Sequence, residues 1–461
     1  MRIELCRELR PFSALCAALG ALPVGCLATE VRGVATDSRE VERGDVFVAL
    51  QGARCDGAAY AEEALSRGAA AVLAPFAAAL PRGCPALRVE RVEEALLRAA
   101  ACHRTRQMGE VIAVSGSTGK TTVKEAIATV LTQRGEVAYS QGNFNSSVGM
   151  PLSVLSFAPC AFWVLELGVS HPGEMAPMAR AAHPTLAVLT NVGSAHIGNY
   201  RSAQELLQEK LTLTAHLHEG GRALLPRDLP AAALPCPSVA AYRFGAGGDF
   251  YLTDISEGEK SLRGDLIAPD RVITNLGWSN GGRSGVAVVE TVGGVGALLG
   301  VSDAELRRGL RAAAEKTPRM RHVTVGDRLL IDDSYNASPE AMTEALRLLS
   351  LKAGERPIVA VLGDMLELGV HSERLHAQIG RAAAQAGLDL LITYGAWSGA
   401  VACAAMAAGM APERVVSFGA EQRALLVEAL IRMLPRGAVV LCKASGKMKL
   451  SEIVREVAER L

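Results

Sequence analysis

One short stretch constrains this chain more than any other. In "EVIAVSGSTGKTTVKEAIATVL" (110–131), β-branched Val111, Ile112 and Val114 enter a Gly-rich turn, and a helical pattern leaves it. Gly116 and Gly119 tolerate unusual dihedrals, so the amides of Gly116, Ser117, Thr118, Gly119 and Lys120 can curl around a phosphate. Lys120 adds a point charge for terminal phosphates, and the Thr121 hydroxyl, beside Thr122, suits Mg²⁺. The emerging helix turns its positive end toward the same anion. The spacing departs from G-x-x-x-x-G-K-[ST], because Val114 stands where the first Gly belongs. A strand–loop–helix of this kind demands a parallel sheet with crossover helices, and it predicts nucleoside triphosphate binding without saying what the phosphate is used for.

At 461 residues the chain suggests about three domains, at ~100–200 residues each. We read 1–83 as a small α/β unit and 84–109 as a connector into a central nucleotide-binding unit ending at 316. Residues 317–461, beginning in "KTPRMRH", repeat the strand–helix alternation as a doubly wound, Rossmann-like unit. The expected class is α/β throughout. Formal net charge is zero, so no whole-molecule field draws the chain to nucleic acid or a membrane surface. The ten cysteines include no C-x-x-C pair, which fits a reducing compartment. "MRIELCRELRPF" lacks a signal-peptide core, and "GAAAVLAPFAAAL" is too short to span a bilayer and is interrupted by Pro75. A cytoplasmic protein is expected.

Two further strand ends offer polar groups. "FWVLELGVSHPGEM" places Glu166, and "LAVLTNVGSAHIGNY" places Asn191 and His196, where open α/β sheets collect ligands. Glu166 suits Mg²⁺, which takes one or two protein oxygens alongside phosphate; His196 is a less usual ligand for a second ion. Taken singly, each also has an ordinary explanation as a solvated or hydrogen-bonded side chain. A P-loop with an acid fits a hydrolase, a kinase or a ligase.

Read together, the motifs resemble the Mur ligase family, the ATP-dependent amide-forming enzymes of cell-wall precursor synthesis. "TDSREVERGDVFVALQG" with a following "DG" is similar to its uridine-nucleotide-binding domain, and "SGSTGKTT" to its compact P-loop. "GNFNSSVGMPLSVL", "ELGVSHPGEM", "TNVGSAHIGNY", "IDDSYNASPEAM" and "VLGDMLELG" follow in family order. The last two favour the branch that adds D-alanyl-D-alanine to a UDP-linked muramoyl tripeptide. The resemblance implies ATP, two Mg²⁺ ions, an acyl phosphate, a monomer and a peptidoglycan role.

Residue by residue, it implies metal ligands at Thr121, Glu166 and His196, and at Lys210 as a carbamate. It puts Arg319, Asp333 and Asn336 toward ATP and the incoming dipeptide. Ser38 and Arg39 would hold the uridine diphosphate, and Asn143, Asn145, Ser146, Lys443 and Ser445 would face substrate. Three departures stand out. Ser146 replaces a second Asn, Gly446 replaces an Arg, and "GGRSGVAVVETVGGVGALLGV" lacks the expected His-Asn pair near 284–285. Adenine recognition is then either rebuilt, with Asn280 a candidate, or looser. The competing readings are a folate polyglutamate-adding ligase, a nucleotide-binding scaffold and a P-loop hydrolase.

Overall fold

The computed structural model describes residues 1–25, 28–52, 55–230, 234, 236, 238–258, 261–279, 282–316 and 321–461. Each of three segments builds its own six-stranded sheet. In the first, strands Gly33–Ala35, Val46–Val48, Ala71–Pro75 and Ala86–Val89 run parallel, with antiparallel edges at Arg2–Glu4 and Leu22–Val24. Residues 86–89 were expected within a connector because Pro81, Gly83 and Pro85 precede them; those residues form the approach to a paired strand. The helix that follows, Val92–Arg104, packs on the first unit's helix Phe12–Leu19 and on Gly149–Ser156 and Met175–Ala182 of the central unit. Leu152 and Leu155 of the central unit complete the first unit's apolar core.

The central sheet is all parallel, in the order Ala240–Phe244, Arg222–Pro226, Leu186–Leu189, Glu110–Ser115, Phe162–Glu166, Val137–Tyr139. Its strands are near-continuous apolar runs because helices cover both faces. The strand Glu110–Ser115 lies between its two later neighbours, at the topological switch point where open sheets bind ligands.

Residues 251–278 break the expected alternation, forming an antiparallel sheet of Tyr251–Gly258, Ser261–Ile267 and Val272–Trp278. In Ser261–Ile267 every second residue is buried, the period of a sheet with one face on a core. The Gly-rich stretch after it is a helix, Gly282–Leu298. Its glycines work as spacers: a Cβ at Gly294 would sit 3.1 Å from Leu224 and Phe250 side-chain carbons, one at Gly296 2.9 Å from Leu306. Close packing on the central sheet and on the helix Asp303–Lys316 outweighs glycine's helix penalty of about 1 kcal/mol per residue.

The third sheet runs Arg321–Val325, Arg328–Asp332, Val439–Lys443, Ile358–Gly363, Leu390–Tyr394, Val415–Phe418, parallel except for its first strand. It docks on the central unit through an apolar cluster that joins Ile197, Tyr200 and Leu206 to Met342, Met365 and Leu368. Among the described residues no helix is long and apolar enough to cross a membrane.

Candidate active site

The phosphate loop leaves Glu110–Ser115 through Gly116 at φ +143° and enters the helix Lys120–Leu131 through Gly119 at φ +77°. A Cβ on Gly116 would collide with the Thr190 hydroxyl, so both space and dihedral require glycine there. The next strand end braces the loop. Asn191 Oδ1 accepts from the amides of Ser117 (3.1 Å) and Thr118 (2.9 Å), and its Nδ2 donates to Thr118 Oγ1 (2.6 Å). Thr190 Oγ1 donates to the Thr118 carbonyl (2.6 Å). Ser117 Oγ accepts from the Gly193 amide at 2.8 Å. Asn191 therefore shapes the loop. Thr121 is half-buried on the first helical turn and Thr122 is buried behind it.

Two lysine side chains lean on one carbonyl. Lys120 Nζ donates to the Gly116 oxygen at 2.9 Å and to that of Ser117 at 3.3 Å; Lys210 Nζ, from the helix Ala203–Leu211, reaches the Gly116 oxygen at 3.3 Å. Burial, and then the neighbouring Lys120 charge, pull the Lys210 amine down to about 7. Near neutral pH a large share of this lysine is unprotonated, which makes it nucleophilic.

Glu166 ends the strand beside the loop, paired in register with Val114. It is buried; Oε1 accepts from Asn145 Nδ2 at 2.8 Å, and Oε2 has no hydrogen-bond partner. The nearest cation is Lys124, fully buried, whose Nζ lies 3.7 Å from Glu166 Oε2 and donates to the Gly142 carbonyl at 3.1 Å. Burial lowers the Lys124 pKa, while Glu166 and Glu125 oppose the shift. Lys124 escaped sequence reading, although it sits one helical turn after Lys120 on a face otherwise occupied by Val123, Ala126 and Ile127. A buried carboxylate oxygen without a donor fits a hard cation beside a phosphate loop. Among the described residues no three His, Cys, Asp or Glu side chains cluster as a metal site, so such an ion would depend on the Thr121 hydroxyl and the nucleotide as well.

His196, at φ +66°, occupies a loop between the central and third units, its Nδ1 against the Glu367 carboxylate. Desolvation lowers its pKa and the Glu367 contact opposes this; Lys120 and Lys210 are near enough to add to the lowering.

The third unit ties its own candidates together. Lys443 is buried and donates to Asp333 Oδ2 (2.6 Å) and to the Asn336 carbonyl (3.0 Å). Asn336 Oδ1 accepts from the Ala337 amide (2.9 Å), and Ser445 Oγ from the Leu366 amide (2.9 Å). Lys443 and Ser445, expected to face substrate, thus hold the Asp333–Asn336 turn and the 364–367 loop in this arrangement. Ser338 accepts from the Ala341 amide and caps the helix Pro339–Ala353. Arg319 and Asn280 lie outside the described residues.

In the first unit Ser38 Oγ donates to Glu63 Oε2 (2.8 Å), while exposed Arg39 is forked onto Asp37. Arg39 also lines an open cleft of about 670 Å³ with Arg2 and Phe144. Asn143 is exposed close by in sequence, and Ser146 Oγ accepts from the Gly149 amide (3.1 Å), starting the helix Gly149–Ser156.

Known proteins share these domains. Residues 30–109 match the Mur ligase family catalytic domain, 114–276 the Mur ligase middle domain, and 318–446 the Mur ligase glutamate ligase domain. A UDP-N-acetylmuramoyl-tripeptide–D-alanyl-D-alanine ligase of Bacillus subtilis is 32% identical over 438 residues, 94% of each chain. The chain belongs to the Mur ligase family. Among solved Mur ligases, MurF from Acinetobacter baumannii superimposes with a TM-score of 0.85 at 26% identity, covering 99% of both chains. MurF from Thermotoga maritima in complex with ADP gives 0.77 at 28%, covering 93% of this chain and 98% of that one. As a Mur ligase the protein is an ATP-dependent amide-bond-forming enzyme.

Proposed function

We propose that this enzyme joins D-alanyl-D-alanine to UDP-N-acetylmuramoyl-tripeptide at the expense of ATP, giving the UDP-linked pentapeptide precursor of peptidoglycan. The observation that carries the reading is the 32% identity, over 94% of both chains, to a ligase of that name. The convergence of Lys120, Lys210 and Glu166 on one sheet edge supports it.

The chemistry brings two anions together. The tripeptide carboxylate attacks the γ-phosphorus of ATP, ADP leaves, and an acyl phosphate forms. The dipeptide amine then adds to the acyl carbon, the tetrahedral intermediate collapses, and phosphate departs with its electron pair as the amine loses a proton. Lys120, released from the Gly116 and Ser117 carbonyls, neutralises the transferring phosphoryl group, and the loop amides hold it in place. Asp333 and Asn336, on the Lys443-braced turn, would serve the nucleotide and the dipeptide, the role the resemblance also gives Arg319, and closure of the third unit keeps water from the acyl phosphate. Ser38, Arg39, Asn143, Asn145 and Ser146 serve the UDP-sugar end and the approach to the carboxylate.

Mg²⁺, when bound, spreads the phosphate charge; Thr121 and Glu166 would hold one ion, and His196 with Lys210 a second. The neutral Lys210 amine can add to carbon dioxide, releasing a proton and becoming a carbamate, which turns a cation into an anion at that position. A cytoplasmic monomer completes the reading. The test is ADP and phosphate release with each organic substrate omitted in turn. Turnover needing both, with a pentapeptide product by mass, is expected; turnover with neither would replace ligase by hydrolase. Loss of ¹³C-bicarbonate labelling in Lys210→Arg tests the carbamate.

A further inference from the structure

The loop that carries His196 is grasped from two sides by the third unit. On one side Glu340 Oε1, in the first turn of Pro339–Ala353, accepts from the Ser194 amide (2.9 Å) and the Ser194 hydroxyl (2.6 Å). On the other, the Glu367 carbonyl accepts from the Gly198 amide (3.1 Å) while its Oε2 meets His196 Nδ1. The two backbones touch: a Cβ on Gly369 would lie 2.8 Å from the Gly198 Cα. Ile197, between these points, is buried against the third unit's core. His196 and Glu367 are both non-glycine residues in left-handed backbone, at φ +66° and +64°, a conformation that persists only where surroundings impose it. Lys447 approaches Glu367 Oε1 at 3.3 Å from the solvent side.

We propose that Glu367 is a positioning residue for His196: its carboxylate, brought across the interface when the third unit docks, holds the imidazole as the Nδ1–H tautomer and leaves Nε2 as the free lone pair. A carboxylate on the far nitrogen is how ligating histidines are oriented within single domains. Here the orienting group and the imidazole belong to different units, so docking and the ligand competence of His196 are linked, and each must favour the other by the same factor. The inference rests on the reading of His196 as a metal-holding side chain. Glu340 has a separate part, gripping the loop without touching the ring.

The test uses the full-length protein with ring-¹⁵N histidine. Long-range ¹H–¹⁵N spectra give the tautomer of His196, assigned by its loss in His196→Ala, and Mn²⁺ titration in the presence of ADP, read by electron paramagnetic resonance, gives metal affinity. Glu367→Ala should move His196 to the Nε2–H tautomer and weaken Mn²⁺ binding about 10–100-fold, the range for lost orienting partners. Glu367→Gln, which keeps an acceptor oxygen and the fold, should retain the tautomer and weaken Mn²⁺ less. Lys447→Ala should change neither. An unchanged tautomer in Glu367→Ala overturns the proposal, as does unchanged Mn²⁺ affinity there when His196→Ala weakens it. Should His196→Ala itself leave Mn²⁺ binding intact, the metal reading fails first and the proposal falls with it, an outcome distinct from the other two.

Discussion

The central and third sheets both present polar side chains at the carboxyl ends of parallel strands, yet they leave those groups in opposite states. At the central edge two lysines crowd the Gly116 carbonyl, and Glu166 keeps one buried oxygen without a donor. At the third edge Lys443 is paired with Asp333, and Asp364 accepts from the amides of Ala396 and Trp397. Ser445 accepts from Leu366. A polar group already satisfied by its own chain maintains shape, and a buried one left unsatisfied costs free energy that a ligand can recover. On the proposed function, the contrast fits reaction chemistry at the central edge and the holding of a docking surface by much of the third.

The sharpest way to break this contrast is at Lys120. Lys120→Ala should lower kcat/KM about 10²–10³-fold, the loss seen when one transition-state donor is removed, with little change in thermal midpoint. A variant that loses stability in proportion to activity would make Lys120 a structural tie like Lys443. The converse substitution, Lys443→Met, should cost about 2–3 kcal/mol of stability. That lies below the range for a fully buried pair, because Asp333 keeps some exposure. Adding Asp333→Asn should restore part of it in denaturant titration. Abolished activity with unchanged melting would instead put Lys443 on the substrate, as its Lys-x-Ser motif had suggested.

A smaller effect is expected at Asn191, which mixes both states by using protein–protein hydrogen bonds to shape a ligand site. Asn191→Ala removes three such bonds from the loop. At about 0.5–1.5 kcal/mol each and partly replaced by water, their loss should raise the KM for ATP roughly tenfold and change kcat less. An unaltered KM would show that the loop holds its shape without this brace.

How far the sequence alone reaches follows the same division. The phosphate loop is legible because strand, glycines, lysine and helix are contiguous, so local rules apply. Glu166 and His196 were visible as polar groups at or just beyond strand ends, each with an ordinary alternative explanation, and only the family resemblance singled out Lys210 on its helix. The parts of Lys124, Glu340 and Glu367 depend on residues 42, 146 and 171 positions away, and no spacing rule connects such pairs. The stretch 282–298 misleads for another reason: propensity argues against a glycine-rich helix, whereas Gly294 and Gly296 are there to admit Phe250 and Leu306. The lysine at 443 was visible as a motif, but its burial was not, since that is set by where the Asp333 turn folds.

Two histidines, His196 against the 364–376 segment and His376 within it, give the smallest and most discriminating comparison. His196 has one ring nitrogen on Glu367. His376 has both nitrogens occupied, Nδ1 donating to the Ser372 carbonyl (2.7 Å) and Nε2 accepting from the Met365 amide (2.9 Å). That pattern requires a neutral ring. Burial accordingly lowers the His376 pKa below 6.5, against opposing contributions from Ser372 and Asp364. A base whose folded pKa is depressed binds fewer protons in the folded than in the unfolded state. Its stabilising contribution is therefore complete above about pH 6.5 and is lost as pH falls through that value toward the folded pKa. Melting of the protein should decline from pH 7 to 5.5, and His376→Leu should flatten that slope while lowering stability overall, because Met365 and Ser372 lose their partner. Buried His103, whose pKa is also lowered by burial, contributes equally to both proteins and cancels in the difference. An unchanged slope in His376→Leu would mean that the ring takes up its proton in the fold as readily as in the unfolded chain, and that the third edge is less complete than its hydrogen bonds indicate.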